Sequence, residues 1–142
     1  VITEEALERV EGLLEELRES SANGVPVLVE GSRDEESLRE LGIQGPVLKI
    51  SGNKKTALNF LEGLAHHKQV IVLTDFDRTG GELARFCSKH LRRLGVDPIA
   101  NLRERLKVLL HRDVKDIQGL AKFLRGQRTV ANKTIIPRRW RK

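Results

Sequence analysis

VIVLTDFDRTGGE, residues 70 to 82, is the stretch on which the reading of this chain turns. An apolar run, Val70 to Leu73, ends at two carboxylates, Asp75 and Asp77, and Gly80 and Gly81 follow at once. In an extended segment the side-chain period of two would put Asp75 and Asp77 on one face and Phe76 on the other. Two acids so spaced invite a divalent cation. The paired glycines would let the backbone approach a phosphate where the next helix begins. A plainer reading competes with this one, in which the acids simply cap a helix that follows a strand.

A second stretch, VPVLVEGSRDEESL at residues 25 to 38, repeats the construction: an apolar run stops at Glu30 and Gly31 before a helix. Ligands of open parallel sheets bind beyond the carboxyl ends of the strands. If both runs are neighbouring strands, Glu30, Asp75 and Asp77 converge on one crevice. Like charges that close raise one another's pKa unless a proton or a cation lies between them. Mg²⁺ fits such a site, because it takes a few carboxylates and fills its remaining positions with water and phosphate oxygens. Mn²⁺ is the natural substitute.

With both motifs in view, the sequence resembles the Toprim family, shared by topoisomerases, bacterial-type primases, OLD-family nucleases and the ribonuclease that matures 5S ribosomal RNA. That family carries Glu-Gly after its first strand and Asp-x-Asp after its third, matched here by Glu30-Gly31 and Asp75-Phe76-Asp77. The resemblance covers residues 25 to 108, and the likeness is nearest to the small stand-alone Toprim proteins of archaea and to the 5S-maturing ribonuclease. It implies a doubly wound α/β fold with a parallel core of about four strands. It also implies a catalytic and metal-binding set of Glu30, Asp75 and Asp77, with Glu30 doing general acid or base work.

Composition sets the outer bounds. The 142 residues allow one core with short extensions. No apolar run reaches membrane-spanning length, and the first residues read as an acidic helix rather than a signal peptide, so a cytoplasmic protein with no membrane partner is expected. One cysteine, Cys87, permits neither an internal disulfide nor a zinc ribbon and reads as packing. The net charge of +6 is unevenly spread. Residues 117 to 142 hold eight basic side chains and no acid, whereas the rest carries 18 basic against 20 acidic residues. The basic end, with Trp140 among Arg138, Arg139 and Arg141, suits phosphate contacts and base stacking on RNA or DNA, or else a solubilising tail.

Along the chain, Leu7, Val10, Leu13, Leu14 and Leu17 mark an amphipathic helix over residues 3 to 19, capped by Thr3, with a linker at 20 to 24. Strands are expected at 25 to 30, 46 to 51, from 69, and at 96 to 100. Helices are expected at 32 to 41, opened by a Ser32–Glu35 capping box, at 54 to 67 and at 81 to 94. Two more follow, on Leu102, Leu106, Leu109, Leu110 and Val114, and on Ile117, Leu120, Phe123 and Leu124. This divides the chain into an N-terminal helix and linker (1 to 24), a Toprim domain (25 to 108) and a C-terminal helical and basic extension (109 to 142).

Smaller signals adjoin the acids. Arg78 could hold a phosphate or merely balance Asp75 and Asp77. Lys54 and Lys55 would also lie beyond the carboxyl end of a strand. Asp34, four residues after Glu30, suits the dipole of the helix it opens. With no tyrosine in the chain, the tyrosyl phosphodiester of topoisomerases cannot form. A primase would need a zinc module and a polymerase region that 142 residues do not hold. Asp75-Phe76-Asp77-Arg78-Thr79 also looks like the nucleophile loop of haloacid-dehalogenase phosphatases, but no later paired acids serve that chemistry. The expectation is a Mg²⁺-dependent nuclease acting on RNA or DNA, with a non-catalytic Mg²⁺-dependent nucleic-acid or ribonucleoprotein binding module as the alternative.

Overall fold

The structure is a computed structural model and describes residues 2–50 and 54–133. Helix α1 (Glu4–Ala22) leads into β1 (Val27–Val29), α2 (Ser32–Glu40), β2 (Val47–Lys49), α3 (Lys54–Glu62), β3 (Gln69–Val72) and α4 (Arg78–Arg93). Strand β4 (Asp97–Ile99) and helices α5 (Asn101–Leu110) and α6 (Leu120–Lys133) complete the described residues. The four strands are all parallel in the order β2-β1-β3-β4. Pro98 interrupts β4, which is tolerable because β4 is an edge strand.

Side-chain alternation assigns the helices to faces. Val27, Val29, Ile71 and Leu73 point into one apolar cluster with residues of α1, α2, α5 and α6. Leu28, Val70 and Val72 point the other way, onto Ala57 and Leu61 of α3 and Ala84, Cys87 and Leu91 of α4. The sheet is therefore covered on both sides, the doubly wound α/β architecture expected from the alternation of strands and helices. The first cluster draws on residues from Val10 to Leu124, so α1, the strands and α6 share one core. No helix among the described residues is long and apolar enough to cross a membrane.

Several local expectations shift. Thr3 caps α1 by accepting the Ala6 N–H at 3.1 Å, but the helix runs on to Ala22 through most of the expected linker. Its last turn is held by packing: Ser21 is buried and its hydroxyl accepts the Gly45 N–H at 2.9 Å. Gly31, not Ser32, is the N-cap of α2, and Asp34 rather than Glu35 reaches back, accepting the Gly31 N–H at 2.9 Å. Glu35 is engaged instead by Lys49 and Arg39. Helix α3 stops at Glu62, short of His67, while Leu64 stays buried in the turns beyond it.

The β3–α4 junction departs most from the extended reading. Strand β3 ends at Val72, and Phe76 is buried, turned from the exposed Asp77 as expected, but it shares its cluster with Leu73, which a period of two would have put on the opposite face. Asp77 is the N-cap of α4 and accepts the Gly80 N–H at 2.7 Å, while the Gly81 N–H binds the Asp77 carbonyl at 2.9 Å. The helix accordingly starts at Arg78, three residues before the expected Gly81. Both glycine N–H groups are spent within the turn. Gly80 is required by contact, because a Cβ there would lie 1.9 Å from the Asp75 carbonyl oxygen. A Cβ on Gly81 would meet nothing closer than 3.7 Å. Gly80→Ala should therefore cost about 3 kcal/mol or more, whereas Gly81→Ala, in a helix interior, should be neutral or stabilise by about 0.5–1 kcal/mol. Urea unfolding of the two variants checks this, and equal losses would contradict it.

Candidate functional site

The chain leaves β1 toward β2 on one side and leaves β3 toward β4 on the other, while β1 and β3 are neighbours. Their carboxyl ends thus form the point where strand order reverses, where open α/β sheets bind their ligands. Glu30 follows β1 directly, and Asp75 lies just past β3. A Glu30 carboxylate oxygen accepts the Asp75 peptide N–H at 2.9 Å, which ties the two strand ends together. Asp75 turns its own carboxyl to the Ile117 N–H, also at 2.9 Å.

The segment between α5 and α6 closes over this crevice. The Phe76 N–H binds the Lys115 carbonyl at 2.8 Å, and Ser37 of α2 accepts the Ala121 N–H at 3.1 Å. Beneath the loop lies Arg103 of α5, only 1% exposed, which donates to the carbonyls of Thr74 at 3.1 Å and Asp75 at 2.6 Å and pairs with Glu104. A buried cation therefore sits against the backbone that carries the acids.

The electrostatics single out Asp75. Burial pushes its carboxyl up to about 7, against the opposing pull of the Ile117 N–H. The negative charges of Glu30 and Asp34, and the hydrogen bond with the Glu30 carboxyl, raise it further. Asp34 is itself buried and raised, by desolvation first and by Asp116 as well, while its bonds to backbone N–H groups hold it down. Asp34 thus binds the Gly31 N–H at the start of α2 and also adds negative charge beside Asp75. Burial holds the Cys87 thiol near 12, an inert packing group.

The other expected site residues distribute as follows. Asp77 is exposed at the mouth of the crevice, committed to capping α4, and Arg78 beside it is exposed with no ion pair among the described residues. Gly80 and Gly81 are buried in the turn. Lys55 lies on the exposed side of α3, lining a groove against His90 and Arg93 of α4. The side chains of Lys54, Arg138, Arg139, Trp140 and Arg141 fall outside the described residues. Asp116 and Arg103 were not foreseen: Asp116 gives no pattern of its own, and Arg103 sits beside Leu102 in a register whose inward stripe continues at Leu106 and Leu110.

Among the described residues no three His, Cys, Asp or Glu side chains already converge as a metal-holding group. The side-chain donors at the crevice, Glu30, Asp34 and Asp75, are nonetheless all carboxyl groups, and the first two act on the third. Their chemistry fits a hard cation that keeps most of its waters.

No family model matches the chain. It is 36% identical to a UPF0292 protein of Methanosarcina barkeri over 119 residues, covering 83% of this chain and 82% of the relative. It is 38% identical to a UPF0292 protein of Pyrococcus furiosus over 117 residues, covering 82% and 84% respectively. A solved protein from Aquifex aeolicus shares the fold with a TM-score of 0.60 and 27% identity, over 75% of this chain and 94% of that one. The chain belongs to the UPF0292 family.

The raised carboxyl makes a pH prediction. Asp75 keeps its proton in the fold far above its ordinary value of 3.8, so the fold binds more protons than the unfolded chain between about pH 4 and 7. Its contribution to stability is full below that window, falls as pH rises through about 7, and is flat above. In EDTA, Asp75→Asn should therefore gain in melting temperature relative to wild type from pH 5 to pH 8. Curves that stay parallel would contradict the shift.

Proposed function

We propose that this chain is a Mg²⁺-dependent Toprim protein that acts on nucleic-acid phosphodiesters, a small nuclease of RNA or DNA processing. The observation that carries the reading is the contact between Glu30 and Asp75 at the β1/β3 switch point, with Asp34 as a third acid close enough to raise Asp75. Such a group of carboxylates costs stability when empty, and a cation removes that cost. Glu30 and Asp75 would hold Mg²⁺, with Asp77 at the mouth contributing directly or through water. Bound there, the ion supplies neutralisation of charge on phosphoryl oxygens and a more acidic water.

The protein's own groups do the rest. Asp75 stores a proton near neutral pH and gives it up when a cation takes its place. Glu30, held toward Asp75 by the 2.9 Å bond, is fixed in orientation and accepts or returns a proton at its carboxylate. Arg78, exposed beside Asp77, is placed to grip a substrate phosphate. The free, buried thiol of Cys87 supports placing the protein in a reducing cytoplasm.

A non-catalytic binding module is the second reading. One observation favours it: the carboxyls of Asp75 and Asp77 are both spent on backbone N–H groups, of Ile117 and Gly80, and so serve the fold. Glu30→Gln separates the two, since it keeps the acceptor for the Asp75 N–H and removes the proton carrier. Labelled RNA and DNA are incubated with Mg²⁺ or Mn²⁺. The nuclease reading predicts cleavage slowed by about 10² to 10⁴ with binding held within a few-fold. Equal trace hydrolysis by wild type and variant would overturn it in favour of the binding module.

A further inference from the structure

Helix α4 carries a basic line that the acid crevice does not explain. Arg78, Arg85, Lys89 and Arg92 recur at intervals of seven, four and three, which keeps them within about 60° of the circumference at 3.6 residues per turn. None of the four has an ion-pair partner among the described residues. From Arg85 onward the line borders an open groove of about 560 Å³, with Gly81 and Ser88 on its floor side and Glu104 at its far rim. At the groove's head, Gly81 has Arg85 Nη1 and Arg103 Nη2 both 3.7 Å from the point where a Cβ would stand. Two guanidinium groups from different helices thus approach one small patch. Glu104 offsets Arg103, and Glu82 lies at the edge of the line, which leaves Arg85, Lys89 and Arg92 as the cations along the groove.

We infer that this groove along α4 is a track for the sugar–phosphate backbone of a nucleic-acid strand, leading it to the acid crevice. Arg78 to Arg92 spans about 21 Å at 1.5 Å per residue. At the 3.4 Å of helix axis per nucleotide of one duplex strand, that length spans about six successive phosphates, and a more extended single strand would place fewer there. Gly81 and Ser88 leave room for a backbone to lie close. The outer face of α4 has no exposed large apolar residue, the one such residue among those described being Val108 on α5, so it has nothing to bury in a bilayer. Arg78 directly follows Asp77, and a strand lying on the track would therefore bring a phosphodiester to the mouth of the crevice. The inference rests on the proposed function only for this last step; the binding itself needs no metal and no chemistry.

The test is binding in EDTA, read by fluorescence anisotropy of short labelled single-stranded RNA and DNA across a salt series. R85Q/K89Q/R92Q and R85E/K89E/R92E are compared with wild type, all three positions being exposed. The track predicts unchanged melting temperatures, affinity lower by about tenfold or more for every sequence, and a log–log salt slope smaller by about 2 in the Gln variant, at about 0.7 per phosphate contact. An unchanged slope and affinity in the Gln variant would overturn it. So would loss of binding to phosphatidylserine vesicles with oligonucleotide binding intact. If wild type cleaves and the Gln variant binds and cleaves equally, the track fails while the crevice stands. If wild type never cleaves but the slope falls as stated, the crevice reading fails while the track stands.

Discussion

The hydrogen bond from the Asp75 peptide N–H to the Glu30 carboxylate is the interaction on which the functional end of this protein depends. Strands β1 and β3 are neighbours whose chains depart in opposite directions, and the last backbone bond between them runs from the Leu73 N–H to the Leu28 carbonyl at 2.8 Å, one residue beyond Val72. Glu30 makes the next link with a charged acceptor. The choice has a cost, because burial already pushes the Asp75 carboxyl up and the same bond sets the Glu30 charge beside it, the two together lifting it to about 7. Joining the strands and loading the crevice with negative charge are one act.

The surrounding structure tolerates that load by distributing backbone donors and one cation around it. The N–H groups of Ile117, Gly31 and Gly80 each take one oxygen of Asp75, Asp34 and Asp77. Arg103, only 1% exposed, binds the Thr74 and Asp75 carbonyls, so a cation stands against the backbone that carries the acids. Its guanidinium also reaches toward Arg85, which connects the acid crevice to the basic face of α4. Acid and basic side chains thus meet at the start of one helix.

The sheet and its covering on both faces were legible because its strands are continuous apolar runs set between helices that follow periods of three and four. Val70 to Leu73 and Val27 to Val29 announced themselves that way, as did α1 through Val10, Leu14 and Leu17. Glu30 and Asp75 were legible as a pair because each ends an apolar run. What could not be read was the path after β3. Period-two reasoning put Asp75 and Asp77 on one face, but the chain bends at Phe76 and Asp77, sends Phe76 into the core and leaves the two acids in different surroundings. Capping was misread by one residue at α2, because Gly31 with an extended backbone competes with Ser32 for the same role. Asp116, Arg103 and the Ile117 N–H belong to the site through contacts spanning about 30 to 80 residues, which no local pattern encodes.

The central claim is that the Glu30–Asp75 pair stores a proton that a divalent cation displaces. Calorimetric titration of Mg²⁺ into metal-free protein at pH 6.5, repeated in buffers of different ionisation enthalpy, measures that exchange directly. The account predicts binding with release of up to about one proton, lost in Asp75→Asn and fading toward pH 9, since metal ligation requires the deprotonated carboxylate. No binding at millimolar Mg²⁺, or binding at pH 6.5 with no proton released, would contradict it.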